Sequence, residues 1–147
     1  MIYILKELTT EIQINSSPEI LWNVLTDFKN YYQWNPILQK IKGEPLMGNQ
    51  LEINLQTVGG KKRVYHPNII KIIPNQELRW KGKFLFSQIF SGERVFLIEK
   101  FSDNKVKFVN KEIFCGIGVR FTPRKMEDDI VASFNKMNEA LKKTIEQ

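Results

Sequence analysis

Cysteine and histidine are nearly missing from this sequence: Cys115 and His66 stand alone among 147 residues. One thiol excludes an internal disulfide framework and any multi-cysteine metal site, and one imidazole excludes the two-histidine zinc motifs. Long apolar runs are missing too, since no stretch approaches the roughly 20 residues needed to span a bilayer. The opening MIYILKELTTEIQI has no basic leader region and no small-residue cleavage site, and Lys6 and Glu7 interrupt it, so it does not read as a signal peptide. A soluble, cytoplasmic protein without a transmembrane segment is expected. There are no repeats, low-complexity tracts or linkers, which predicts one domain over residues 1–147. Gly116-Ile117-Gly118 lacks the third glycine of a dinucleotide loop and reads as the turn before the last helix. No cofactor and no metal is expected. The net charge of +6 is modest, and no basic run interleaved with aromatics points to a nucleic-acid partner.

What the chain does have is an ordinary globular balance, 42% hydrophobic and 26% charged, with a strong secondary-structure pattern. Residues 7–14, ELTTEIQI, alternate: Leu8, Thr10, Ile12 and Ile14 share one face of a half-buried strand. Ser17 and Pro18 then form a helix start, with Glu19 near the positive end of the dipole and Leu21, Val24, Leu25 and Phe28 at helical spacing. Asp27 is placed to end this helix and cap a second short one over 28–32. Six further strands are predicted at 37–42, 51–57, 62–73, 77–86, 94–101 and 106–114, divided by Gly-, Pro-, Asn- and Asp-containing turns. The 62–73 stretch is apolar on both parities, which suggests a bulge and leaves its faces unassigned.

Thr122-Pro123 reads as a cap-plus-proline start to a final helix. Met126, Ile130, Phe134, Met137, Leu141 and Ile145 give that helix a single apolar stripe over about 22 residues, roughly 33 Å. A stripe of that length needs an apolar surface, and one curved face of an antiparallel sheet supplies it. The fold class is α+β.

Strand parity then selects inward side chains. Leu78, Trp80, Gly82 and Phe84 share a face opposite Arg79, Lys81 and Lys83; Val106, Phe108, Asn110, Glu112 and Phe114 share one opposite Lys105, Lys107 and Lys111. The lysine-rich side belongs to solvent, so Asn110 and Glu112 point inward among phenylalanines. A buried carboxylate needs a partner or a proton. If the turn at 103–105 is a three-residue loop, Phe96 lies opposite Glu112 and Arg94 reaches it diagonally. Two readings of the group stand: a satisfied Arg94–Glu112 ion pair at the mouth of the sheet, or Asn110, Glu112 and Arg94 as the few polar anchors of an apolar pocket. His66 has no identified partner, Cys115 reads as a buried small apolar residue, and Asp27 reads as a cap.

Four stretches also carry a family likeness: SPEILWNVLTDFKNYYQWNP after the first strand, HPNIIKIIPNQELRWKG at 66–82, FSGERVF at 90–96 and KEIFCGIG at 111–118. In that order, with an amphipathic last helix, the chain resembles the START-related, pollen-allergen-like (SRPBCC) superfamily, and within it small bacterial polyketide cyclase/dehydrase-like proteins. The resemblance covers nearly the whole chain. It implies a single START-like domain with the helix-grip fold: a curved antiparallel sheet of six to seven strands around a long C-terminal helix, with two short helices after strand 1. It also implies a hollow between sheet and helix that takes a hydrophobic small molecule, lipid-like, aromatic or polyketide-like.

The residues expected at that hollow are Trp80, Phe84, Arg94, Phe96, Phe108, Asn110, Glu112, Phe114, Phe134, Met137 and Leu141. Trp34 is expected at the mouth, where the resemblance places an entrance and where Trp22, Phe28, Tyr31, Tyr32 and Trp34 crowd together. Two other functions remain open. One is a cyclase-, dehydratase- or hydrolase-type enzyme with Glu112 as the acid/base. The other is a protein-interaction domain using the outer rows Arg79/Lys81/Lys83 and Lys105/Lys107/Lys111.

Overall fold

The computed structural model describes residues 5–83, 91–116, 119 and 122–147. Strand β1, Leu5–Ile14, alternates exposed and covered residues as its sequence requires. Helix α1, Pro18–Thr26, starts where Ser17 Oγ accepts from the Ile20 amide at 3.3 Å and Pro18 occupies the first helical position. A 3₁₀ helix, Phe28–Gln33, follows directly. Asp27 lies at the junction, where its carboxylate accepts from Asn30 Nδ2 at 2.6 Å rather than from a backbone amide.

The expected count of six to seven strands is corrected to eight: β1, β2 (Leu38–Lys42), β3 (Glu52–Gln56), β4 (Lys62–Tyr65), β5 (Asn68–Ile73), β6 (Glu77–Lys83), β7 (Ser91–Ser102) and β8 (Lys105–Cys115). They pair antiparallel as a five-stranded sheet, β1-β8-β7-β6-β5, and a three-stranded one, β2-β3-β4. A Gln50–Asn68 bridge and the Leu51 amide bonded to Pro67 O at 2.8 Å tie the two together. The additional strand arises at His66-Pro67. Pro67 has no N–H to give a ladder, so the 62–73 segment breaks there and changes sheets. This is why apolar residues occur on both parities, and a further register shift between Ile69 and Lys71 adds a bulge at Ile70.

The last helix, α2, runs Arg124–Glu146. Pro123 itself takes the cap position, and the Thr122 hydroxyl donates to Val119 O at 2.8 Å, so the expected Thr122 cap is corrected. Polar bonds fasten α2 along β1, the two running in the same direction. Lys6 pairs with Glu127, Asn138 Nδ2 donates to Thr10 Oγ1 at 2.9 Å, Lys142 Nζ to Gln13 O at 2.8 Å, and the Asn15 amide to Glu146 Oε2 at 2.8 Å. Across the sheet, the β3–β4 loop meets α2 through the Val58 amide and Ser133 Oγ at 3.1 Å.

The apolar core lies between α1, the sheets and the later part of α2, with Ile14, Leu21, Leu25, Tyr31, Trp80, Phe96, Phe108, Met137 and Leu141 all excluded from water. Burying a side chain of this kind contributes about 1.5–3 kcal/mol. Three residues of the outer positive rows are paired: Arg79 with Glu77 on its own strand and Glu93 on the next, Lys107 with Glu11 and Glu99, Lys111 with Glu7. Among the described residues no helix is long and apolar enough to cross a membrane.

Candidate ligand site

The β7–β8 hairpin decides which inward residues meet. Its turn has two central residues, Asp103 and Asn104, and a register shift between Lys100 and Ser102 takes up one residue, Phe101, as a bulge. The bulge brings the inward parities of the two strands back together. Arg94 therefore sits directly opposite Glu112, and Phe96 opposite Asn110. The expected pairing of Phe96 with Glu112 and a diagonal Arg94 is corrected by this register.

Arg94 Nε donates to Glu112 Oε2 at 2.8 Å, and both side chains are more than nine-tenths buried. The guanidinium carbon lies 4.0 Å from the centroid of the Phe134 ring on α2 and 5.6 Å from that of Phe96, close enough for cation–π attraction on both. Arg94 Nη1 approaches Asn110 Oδ1 at 3.5 Å. Asn110 Nδ2 donates to Asn138 Oδ1 at 2.9 Å, Asn138 Nδ2 to Thr10 Oγ1 at 2.9 Å, and the Thr10 hydroxyl to Asn110 O at 2.8 Å. This closed ring of bonds ties α2 to β1 and β8, and it meets the requirement that buried polar groups be paired.

Trp80, on β6 directly opposite Arg94, packs edge-on against Phe28 and Phe96 with centroids at 6.1 and 5.2 Å. Its indole N–H donates to the Tyr65 hydroxyl at 3.3 Å. Burial, with the Glu112 carboxylate adding to it, pushes the Tyr65 phenol up to about 12, against the opposing pull of Arg94. Tyr31 is also held above its ordinary value by burial, and its hydroxyl donates to Leu25 O.

The structure thus gathers Trp80, Arg94, Phe96, Asn110, Glu112, Phe134 and Met137 around one polar cluster. Phe108 stacks on Phe96 at 5.8 Å, and Phe108 and Leu141 lie in the apolar core that also holds Trp80, Phe96 and Met137. Phe114 is buried one pair beyond, opposite Gly92. Trp34 is half-buried against Tyr31 at 5.0 Å. Phe84, Gly118 and Ile117 lie outside the described residues. His66 is exposed with Nε2 at 3.4 Å from Glu52 Oε1, so it has a partner after all, and Cys115 is half-buried rather than buried. Among the described residues no group of His, Cys, Asp and Glu is arranged to hold a metal.

Three contributors were not found from sequence: Tyr65, Thr10 and Asn138. Tyr65 fell in the stretch whose faces could not be assigned. Asn138 had a usable signal, since it lies one turn beyond Phe134 on the apolar stripe of α2, where a polar residue needs a partner. Two surface depressions lie elsewhere. One, of about 530 Å³, is bounded by Phe28, Lys29, Tyr32, Lys40 and Ile41; the other, of about 360 Å³, by Gln39, Asn54, Leu55, Lys62, Arg63 and Val64.

No protein-family model matches the sequence, and no curated protein matches it. Solved structures do. A START superfamily protein from Mycobacterium smegmatis superposes with a TM-score of 0.73 at 17% identity, covering 96% of this chain and 97% of that one. The Zhui aromatase/cyclase from Streptomyces sp. R1128 gives 0.77 at 12% identity, with 97% and 94% covered. Norcoclaurine synthase from Thalictrum flavum, solved with dopamine and hydroxybenzaldehyde, gives 0.73 at 11% identity, with 97% and 87% covered. At these identities the likeness is one of fold: an antiparallel sheet gripping a long C-terminal helix.

Proposed function

We propose that this chain, which has the START-related helix-grip fold, binds a hydrophobic small molecule between its sheet and the first half of α2. The observation that carries the reading is the buried Arg94–Glu112 pair on the sheet's inner face, capped by Phe134 at 4.0 Å and linked to Asn110. Few polar groups converging within an apolar, ring-lined surface are what a small-molecule site needs for orientation. Room for a ligand is supported by one feature next to the pair. Met126 and Ile130, on the apolar stripe above, are only half-buried.

The test is native mass spectrometry of the protein purified from its own host, together with titration of the environment-sensitive dye Nile red. A retained apolar molecule, and dye binding that weakens when Phe134 is changed to Asp, are expected. A consistently empty protein that takes up no dye would sink the proposal. A second reading, catalysis on the bound molecule, is favoured by the buried Glu112 carboxylate, the one acid in this cluster. Glu112→Gln separates the two: turnover lost with affinity retained supports catalysis.

A further inference from the structure

We infer that Tyr65 sets a chemical requirement on the ligand: an otherwise apolar molecule must present an acceptor oxygen of the carbonyl type to its hydroxyl. The inference rests on the binding reading above and adds to it the class of molecule.

Tyr65 comes from β4, in the smaller sheet, where it pairs with Ile53. Its ring lies over Gly82 of β6. A Cβ at position 82 would stand 3.3 Å from Tyr65 Cδ2 and 3.3 Å from Pro67 Cβ, closer than such contacts comfortably allow. Glycine at this position therefore lets Tyr65 settle on the larger sheet and reach Trp80. The contact with Trp80 fixes the direction of the bonding. An indole N–H can only donate, so the Tyr65 oxygen accepts, and its own hydrogen remains to be given elsewhere. Among the described residues that hydrogen has no acceptor. Tyr65 is half-buried, and a hydroxyl there whose hydrogen is unused gains a bond when a ligand oxygen accepts it.

The surroundings choose the ligand's polarity. Arg94, whose field also acts on Tyr65, can only donate. Glu112, the neighbouring acceptor, is already bonded to Arg94 at 2.8 Å. With the phenol pushed up to about 12, Tyr65 keeps its proton at neutral pH and acts as a donor. The unmet capacity at this point is thus for an acceptor. A cationic amine would meet a guanidinium and an O–H donor, and the charge of the neighbouring Glu112 carboxylate is already balanced by Arg94.

A matched pair of probes tests this: 2-acetylnaphthalene and 2-ethylnaphthalene, similar in size and differing in the carbonyl, each measured by displacement of Nile red. The wild-type protein should bind the ketone about fivefold to tenfold more tightly, the range of one net hydrogen bond. Tyr65→Phe retains the ring over Gly82, so it should bind 2-ethylnaphthalene as the wild type does and lose the preference for the ketone. The unchanged hydrocarbon affinity also shows that the variant is folded. A ketone preference that survives in Tyr65→Phe, or none in the wild type while both probes bind, overturns the inference alone. If neither probe nor the dye binds the wild type, the binding reading falls and the inference with it.

Discussion

From Met137 onward, α2 closes a dry core: Met137 and Leu141 are wholly buried in the cluster that holds Phe96 and Phe108, stacked at 5.8 Å. Before Met137 the same helix covers an ion pair, its Phe134 ring sits on a guanidinium, and Met126 and Ile130 stay half-buried. One apolar stripe runs through both halves. Periodicity tells which face of a helix turns inward, but what lies beneath that face is set by strand parity and register on the opposing sheet. The later half behaves as core, and the earlier half is where a ligand is proposed.

Substitutions in each half should break this contrast in different ways. The largest effect is expected from Phe108→Ala, which opens a cavity in the dry half and should cost about 3–5 kcal/mol of stability in urea unfolding. Its effect on Nile red affinity should be small compared with that of Phe134→Asp; equal losses of dye binding would erase the distinction between the halves.

Next in size comes the ion pair. Arg94→Met leaves Glu112 buried without its cation and should cost about 3–5 kcal/mol, whereas the double change Arg94→Met with Glu112→Leu should recover most of that loss. A double variant no more stable than the single one would mean that the pair is not the source of the penalty.

Asn138→Leu should cost about 1–3 kcal/mol, because Asn110 Nδ2 loses its acceptor and Thr10 Oγ1 its donor in a place water does not reach. Urea unfolding measures it, and Thr10→Val made in the same background should cost less than it does alone if the three residues act as one network.

The smallest effect belongs to the far end of α2. The Asn15 amide, then Lys142, hold the exposed Glu146 carboxylate below its ordinary value. A carboxylate lowered in the folded state stabilises above its unfolded value near 4.5 and loses that contribution as pH falls through the folded value. Acidification below that point should therefore reduce protection of the Asn15 amide against exchange, corrected for the intrinsic rate. Glu146→Gln should remove this step in pH and leave the rest of the protein's profile in place.

Much of this arrangement could be read directly from residue order. The alternation of Val106, Phe108, Asn110, Glu112 and Phe114 against lysines was enough to turn Glu112 inward, and the parity of Arg94 and Phe96 was enough to bring them to the same face. The exact partner was not legible, because the bulge at Phe101 is a backbone irregularity with no period of its own. Tyr65 escaped for a related reason. Pro67 moves the chain from one sheet to the other, so a single parity cannot describe both sides of it. Asn138 was hidden because stripes are traced through apolar residues, and a polar residue satisfied inside a stripe looks like a gap; Thr10 was legible on the covered face of β1, but its partners were not.

The seam between β1 and α2 also governs the order in which the molecule can be completed. Its hydrogen bonds join residues 121 to 131 positions apart, from Lys6 with Glu127 to Asn15 with Glu146. β1's ladder partner, β8, is nearly as remote, with Thr10 opposite Asn110. β1 must therefore wait for β8 and α2, both remote in sequence, before its edge and its inner face find these partners. Contacts of such long range make folding slow and leave an unpaired strand open to the wrong neighbours meanwhile. Glu7 and Glu11, which later meet Lys111 and Lys107, place two charges along that strand during the wait.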